Sequence, residues 1–139
     1  MNSTKTLLAA LAGGLTLFAL GYLIYMVIFG NADFYMAPGE KAGMRADLVL
    51  WPIILMEILY GLLLAITFGR WAGISTFSGG LKAGAVIGLL LGACVGLDYF
   101  ATTAFYSLIV VLFWGITYAI RFAVAGGVAG MVLGSGKGS

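Results

Sequence analysis

Three ionisable residues stand in strongly apolar surroundings, where a charge is expensive to keep. Glu57 lies within the apolar stretch 48–69, Asp98 within 81–105 and Arg121 within 108–133. On insertion scales each costs about 2.5–3.5 kcal/mol at the centre of an isolated membrane-spanning helix. Such groups are therefore normally paired, turned toward the bundle interior and used in function. Counting about 1.5 Å per residue from the ends that share one side, Asp98 lies ~10 Å deep, Glu57 ~14 Å and Arg121 ~20 Å. The long Arg121 stem covers the gap to Glu57, which predicts a Glu57–Arg121 ion pair. Asp98 is shallower, and snorkelling or water serves it.

Polar and aromatic side chains gather around this candidate site. Trp114, Thr117 and Tyr118 share a stripe with Arg121, and Asp98 has Cys94 and Thr102 one turn to either side. Phe18, Tyr22, Tyr25 and Phe29 recur at intervals of four, three and four on the first apolar stretch. Three uses of such a site stand open: a buried pair that sets helix register, a proton or ion relay, and a site for a small ligand or lipid.

Other chemistry is excluded by residue counts. The chain has no histidine and a single cysteine, Cys94. It has no imidazole for haem, zinc or copper, and no cysteine pair for a cluster or disulfide. Ser-His and Cys-His nucleophiles are equally ruled out. No metal site, catalytic residue or dedicated cofactor is expected, although lipid, quinone or carotenoid can rest on an aromatic stripe without a ligating side chain. Cys94, inside an apolar run, reads as a small buried hydrophobe.

Elements long enough to position these groups follow from composition. Of 139 residues, 63% are hydrophobic and only 9% are charged, against roughly 25% charged in a soluble domain. A soluble fold this short cannot hide so much apolar surface. With a net charge of +2 and no basic run, nucleic acid is not an expected partner. Four stretches, 7–29, 48–69, 81–105 and 108–133, reach the ~20 residues needed to cross a hydrocarbon core. In lipid, backbone groups must be satisfied internally, so each is read as a helix. The first stretch exceeds the ~7–15 residues of a signal-peptide core and is read as a retained helix.

The expected fold is all-α: a single four-helix transmembrane bundle of two antiparallel hairpins. Lys5, Arg70, Lys82 and Lys137 fall on one side against Lys41 and Arg45 on the other. The positive-inside rule then places both termini in the cytoplasm. Tyr60-Gly61 to Phe68 parallels Trp114-Gly115 to Phe122, consistent either with a duplicated hairpin or with chance similarity between short apolar segments.

Gly80, Gly84, Gly88, Gly92 and Gly96 recur at every fourth residue and share one helix face. A groove without side chains lets another backbone approach closely, which drives helix association in lipid. Gly115, Ala119, Ala123 and Gly127 form the answering stripe expected on the last helix. Gly126, Gly130 and Gly134 offer a second row, and Ala9, Gly13 and Gly21 lie on the first helix. The partner is either another helix of this chain or another protein.

The stretch from Gly96-Leu-Asp98-Tyr99 through Thr102-Thr103 to Tyr106-Ser-Leu, followed by Phe113-Trp114-Gly115, resembles small bacterial four-helix membrane proteins of uncharacterised function. In those, a Tyr-x-x-Thr-Asn-like turn precedes a final helix bearing Asp-x-x-Trp-Gly. Here Val111 stands in place of the acid and Thr103 in place of the Asn, so no role of that acid carries over. The resemblance spans the last third of the chain and implies four helices in a bacterial cytoplasmic membrane. Together these features point to a non-enzymatic accessory or scaffold subunit of a larger complex, respiratory or photosynthetic for example, with lipids and other membrane subunits or a second copy as partners. The rival is a small, dimeric, proton- or ion-linked transporter using Glu57, Asp98 and Arg121.

Overall fold

The structure is a computed structural model and describes residues 3–28, 49–102 and 108–135. It is all helical. Helix α1 covers Ser3–Gly21 and continues as a π-helical stretch, Tyr22–Ile28; α2 covers Leu50–Ile66 and continues likewise over Thr67–Ala72; α3 is Phe77–Thr102 and α4 is Ile109–Gly134. All four are long and apolar enough to cross a membrane, which makes this an integral membrane protein.

Helix ends depart from the hydropathy boundaries where local capping overrides composition. Arg70, expected in a connection, sits on the π-helical end of α2. That helix stops at Gly73, whose φ of 65° is the left-handed conformation glycine adopts freely. There the Gly73 and Ile74 amides both donate to the Phe68 carbonyl. Ser78-Gly79-Gly80, expected as a loop, already belongs to α3, because Thr76 caps it. The Gly79 amide donates to Thr76 Oγ1 at 3.0 Å, and the Gly80 amide to the Thr76 carbonyl at 3.0 Å. Residues 30–47, expected as the polar connection between the first two spans, and 106–107, expected as a tight turn, lie outside the described residues, as does Phe29.

Neighbouring helices run up and down in sequence. Ala10 and Gly14 of α1 meet Gly61 and Glu57 of α2, while Gly80 and Gly96 of α3 meet Gly126 and Val111 of α4, so both hairpins are antiparallel. Helix α4 packs against α3 along its whole length and also against α1, while α2 touches α4 only lightly. The dry core, Ala9, Ala10, Leu17, Leu64, Ala65, Phe68, Phe122, Ala125 and Ala129, fills the half of the bundle where α1 begins and α2 and α4 end.

The five glycines of the every-fourth-residue row in α3 are all buried against α4. A Cβ on Gly80, Gly84, Gly88 or Gly92 would overlap the carbonyl oxygen of Gly126, Phe122, Tyr118 or Trp114 respectively, and one on Gly96 would lie 2.8 Å from Val111 Cα. Each of the first four glycines thus aims a Cα–H at a carbonyl, a weak hydrogen bond that recurs where helices approach this closely. The answering row on α4 is not the expected 115–119–123–127 stripe. It runs through 110, 114, 118, 122 and 126, and Gly130 and Gly134 extend it against Thr76 and Ser75. Large residues serve here because α3 offers no side chains at the seam, so Trp114, Tyr118 and Phe122 can bring their backbone in and splay their rings aside. Gly127 instead makes room for the Phe77 ring, 2.6 Å from where a Cβ would be, and the atom nearest to a Cβ on Gly115 would be Leu89 Cδ1 at 3.6 Å. Ala119 and Ala123 are half-buried.

A second close approach, not anticipated, joins α1 to α2. A Cβ on Gly61 would overlap the Ala10 carbonyl oxygen and lie 2.6 Å from the Gly14 amide nitrogen. Gly61→Ala is expected to lower thermal stability in detergent by about 1–3 kcal/mol, the usual range for overpacking. Gly13→Ala, with nearest atoms at 3.7 Å, should be neutral or slightly stabilising, since alanine gains helix propensity. Equal melting temperatures for the two variants would rule out this helix contact.

Candidate functional site

Glu57 and Arg121 meet inside the bundle. Their residues are 3% and 2% exposed, and Arg121 Nη2 donates to Glu57 Oε2 in a direct ion pair. Helix α2 places Glu57 one turn before Gly61, so the α1–α2 backbone approach brings its carboxylate toward α1. Gly21 of α1 leaves the space: a Cβ there would stand 3.3 Å from Glu57 Oε2 and 3.4 Å from Arg121 Nη2. The same Nη2 also donates to the Leu17 carbonyl at 3.3 Å, so one guanidinium ties α4 to both α1 and α2.

Aromatic rings flank the cation. Arg121 Cζ lies 5.3 Å from the Tyr118 ring centroid and 5.5 Å from that of Tyr25, within the range where a ring face attracts a cation. Tyr118 in turn stacks on Phe122 and meets Tyr60 of α2 edge-on. The Tyr25 and Thr117 hydroxyls are 2.8 Å apart. The Thr117 hydroxyl also lies 3.4 Å from the Trp114 carbonyl, which can accept its proton. Among the described residues, Glu57 Oε1 and Arg121 Nε are fully buried and have no hydrogen-bond partner. Buried groups of this kind carry a desolvation penalty of about 1–3 kcal/mol or more.

Not every candidate residue joins the site. Trp114 accepts from Thr117 through its carbonyl, and its indole lies against α3, 5.5 Å from the Tyr99 ring. Asp98 is excluded: it is exposed on the outward face of α3, where the Thr102 hydroxyl bonds its backbone carbonyl at 2.8 Å. Cys94, expected to be buried, is exposed on that same face. Both lie two residues along from a zipper glycine, about 200° around the helix, so burying the glycines turns them away. The aromatic stripe of α1 divides as well: Tyr25 faces the site, Phe18 is half-buried and Tyr22 is exposed.

The arrangement brings together Gly21, Tyr25 and the Leu17 carbonyl from α1, Glu57 from α2, and Thr117, Tyr118 and Arg121 from α4. Gly21 and Leu17 were not recognisable as site residues, since neither carries a reactive group. Chemically the site can hold a charge pair away from water and link three helices. Among the described residues no three His, Cys, Asp or Glu side chains converge to hold a metal ion. Compared with protein-family models, curated proteins and solved structures, the chain matches none of them.

Proposed function

We propose that the protein is a non-catalytic helical subunit of a larger membrane assembly, held in shape by its glycine seams and its buried ion pair. The uneven covering of its four helices supports this. Helix α4 is the most enclosed, whereas α2 buries only Glu57, Gly61, Leu64 and Ala65 of its 17 residues. Along its open side runs an apolar groove of about 330 Å³ formed by Trp51, Pro52, Leu55, Met56, Leu59 and Tyr60. A transmembrane helix of a neighbouring subunit fits such a groove, since packing contact drives association between helices in lipid. The glycine row of α3 is not available for docking, because α4 already fills it. The membrane we infer is a bacterial cytoplasmic one, and the modest Lys/Arg bias favours, without imposing it on every copy, the orientation with both termini on the cytoplasmic side.

Native mass spectrometry of the tagged protein, extracted mildly from its own membrane, tests this. The expected result is a defined complex containing other subunits. A stable monomer, or a homodimer alone, ends the subunit reading.

One observation favours a second reading, proton- or ion-linked transport: Glu57 Oε1 and Arg121 Nε, unpartnered among the described residues. Intramembrane charges commonly mark such pathways. Glu57→Gln would then abolish a proton- or ion-dependent flux in liposomes, and absence of flux with the unaltered protein would dismiss it.

A further inference from the structure

The outward face of α3 carries two charges that the bundle does not use. Lys82, Val86, Leu90, Cys94, Asp98 and Thr102 follow one another at every fourth residue, and all six are exposed. This row lies opposite the buried glycine row. Among the described residues neither the Lys82 ammonium nor the Asp98 carboxylate has an ion pair or hydrogen bond. Sixteen residues separate the two, about 24 Å along the helix, which is less than the ~30 Å hydrocarbon thickness. Leu90 stands halfway between them, near the centre of Phe77–Thr102.

An apolar face with a cation toward one end and an anion toward the other is complementary to itself when inverted. A second α3 laid antiparallel across it, with a two-fold axis at Leu90, sets each Lys82 against the Asp98 of the other copy. The same register places Val86 opposite the small Cys94 and Leu90 opposite Leu90. A two-fold interface repeats every contact, so both charges of both copies are paired. Parallel docking instead opposes Asp98 to Asp98 and Lys82 to Lys82, and like charges juxtaposed at an interface repel and disfavour it.

We infer that a second copy of this chain docks antiparallel on the Lys82–Asp98 face of α3. Copies related in this way cross the membrane in opposite directions. The charge bias that fixes direction is small enough to allow it: Lys5, Arg70, Lys82 and Lys137 against Lys41 and Arg45. With Lys82 engaged in the interface, the loops carry three against two. The interface does not depend on whether the protein serves as a subunit or carries ions. A homodimer recovered without other subunits would end the former role and leave this face intact.

Cys94 is the only cysteine, so disulfide cross-linking of the full chain in membrane vesicles reads the docking directly. In the antiparallel pair the two Cys94 thiols are offset by about 12 Å along the axis, and the unaltered protein should not cross-link. Val86→Cys should give a strong disulfide dimer joining position 86 of one copy to Cys94 of the other, and adding Cys94→Ser should abolish it. In the Val86→Cys background, Lys82→Asp or Asp98→Lys alone should reduce the cross-linked fraction by about tenfold or more, as like charges now meet. Combining the two swaps should restore it. A dimer of unaltered protein through Cys94 alone would show parallel copies and overturn the inference. Failure of Val86→Cys to cross-link, in protein that remains folded, would overturn it as well.

Discussion

Arg121→Met is expected to remove about 3–5 kcal/mol from the folded bundle, the range found when one partner of a buried ion pair is deleted. The reason is what remains behind. The Glu57 side chain is only 4% exposed, and without Arg121 its carboxylate faces the Leu17 carbonyl and aromatic rings across a water-poor space. Glu57→Met leaves the guanidinium similarly stranded, although its Leu17 bond and the Tyr25 and Tyr118 rings give it some company. The double variant Glu57→Met/Arg121→Met should recover most of the loss, because an apolar replacement of a buried pair is often neutral or stabilising. Denaturant titration of purified protein in micelles measures all three. A single Arg121→Met within about 0.5 kcal/mol of the unaltered protein, the usual margin for an inconsequential substitution, would show that the pair does not hold the helices. A double variant as weak as the single would assign the effect to the lost packing of the Arg stem between tyrosines.

Gly84→Leu should prevent α3 and α4 from closing at all. The Phe122 carbonyl already occupies the place of a Cβ at Gly84, and Gly126 Cα lies 3.2 Å from it, so backbone must yield, and not merely a side chain. Separation there also strains the neighbouring contacts at Gly80 and Gly88. The expected loss exceeds the ~1–3 kcal/mol of ordinary overpacking, because the Cα–H contacts, worth about 0.5–1 kcal/mol each, go together. Gly115→Ala is the matched control, with its nearest atom at 3.6 Å. Size-exclusion profiles and tryptophan fluorescence should show Gly84→Leu aggregated or expanded and Gly115→Ala unchanged. Comparable behaviour of the two variants would contradict the α3–α4 register.

Hydropathy alone was enough for the number of helices and their rough extents. The reason is that a bilayer imposes one length on every span and leaves an exposed backbone no alternative to a helix. The glycine row in α3 was equally plain, since a repeat of four needs no knowledge of neighbours to mark one face. Depth counting paired Glu57 with Arg121 because a charge in an apolar medium has few affordable partners. Helix ends were less legible: Thr76 and Gly73 set them through hydrogen bonds and backbone conformation that average hydropathy does not register.

Which faces meet was decided by tertiary packing. Asp98 sits two residues from Gly96, so its exposure follows once the glycine row faces α4; a sequence marks the row but not the side on which the neighbour lies. Helix α4 met Gly84, Gly88 and Gly92 with Phe122, Tyr118 and Trp114 rather than with its Gly115–Ala119–Ala123–Gly127 stripe, because a groove needs backbone to fill it, and large side chains can turn aside. Gly21 and the Leu17 carbonyl entered the site for a similar reason. One contributes empty space and the other a backbone oxygen, and neither has value until a second helix brings a charge against it.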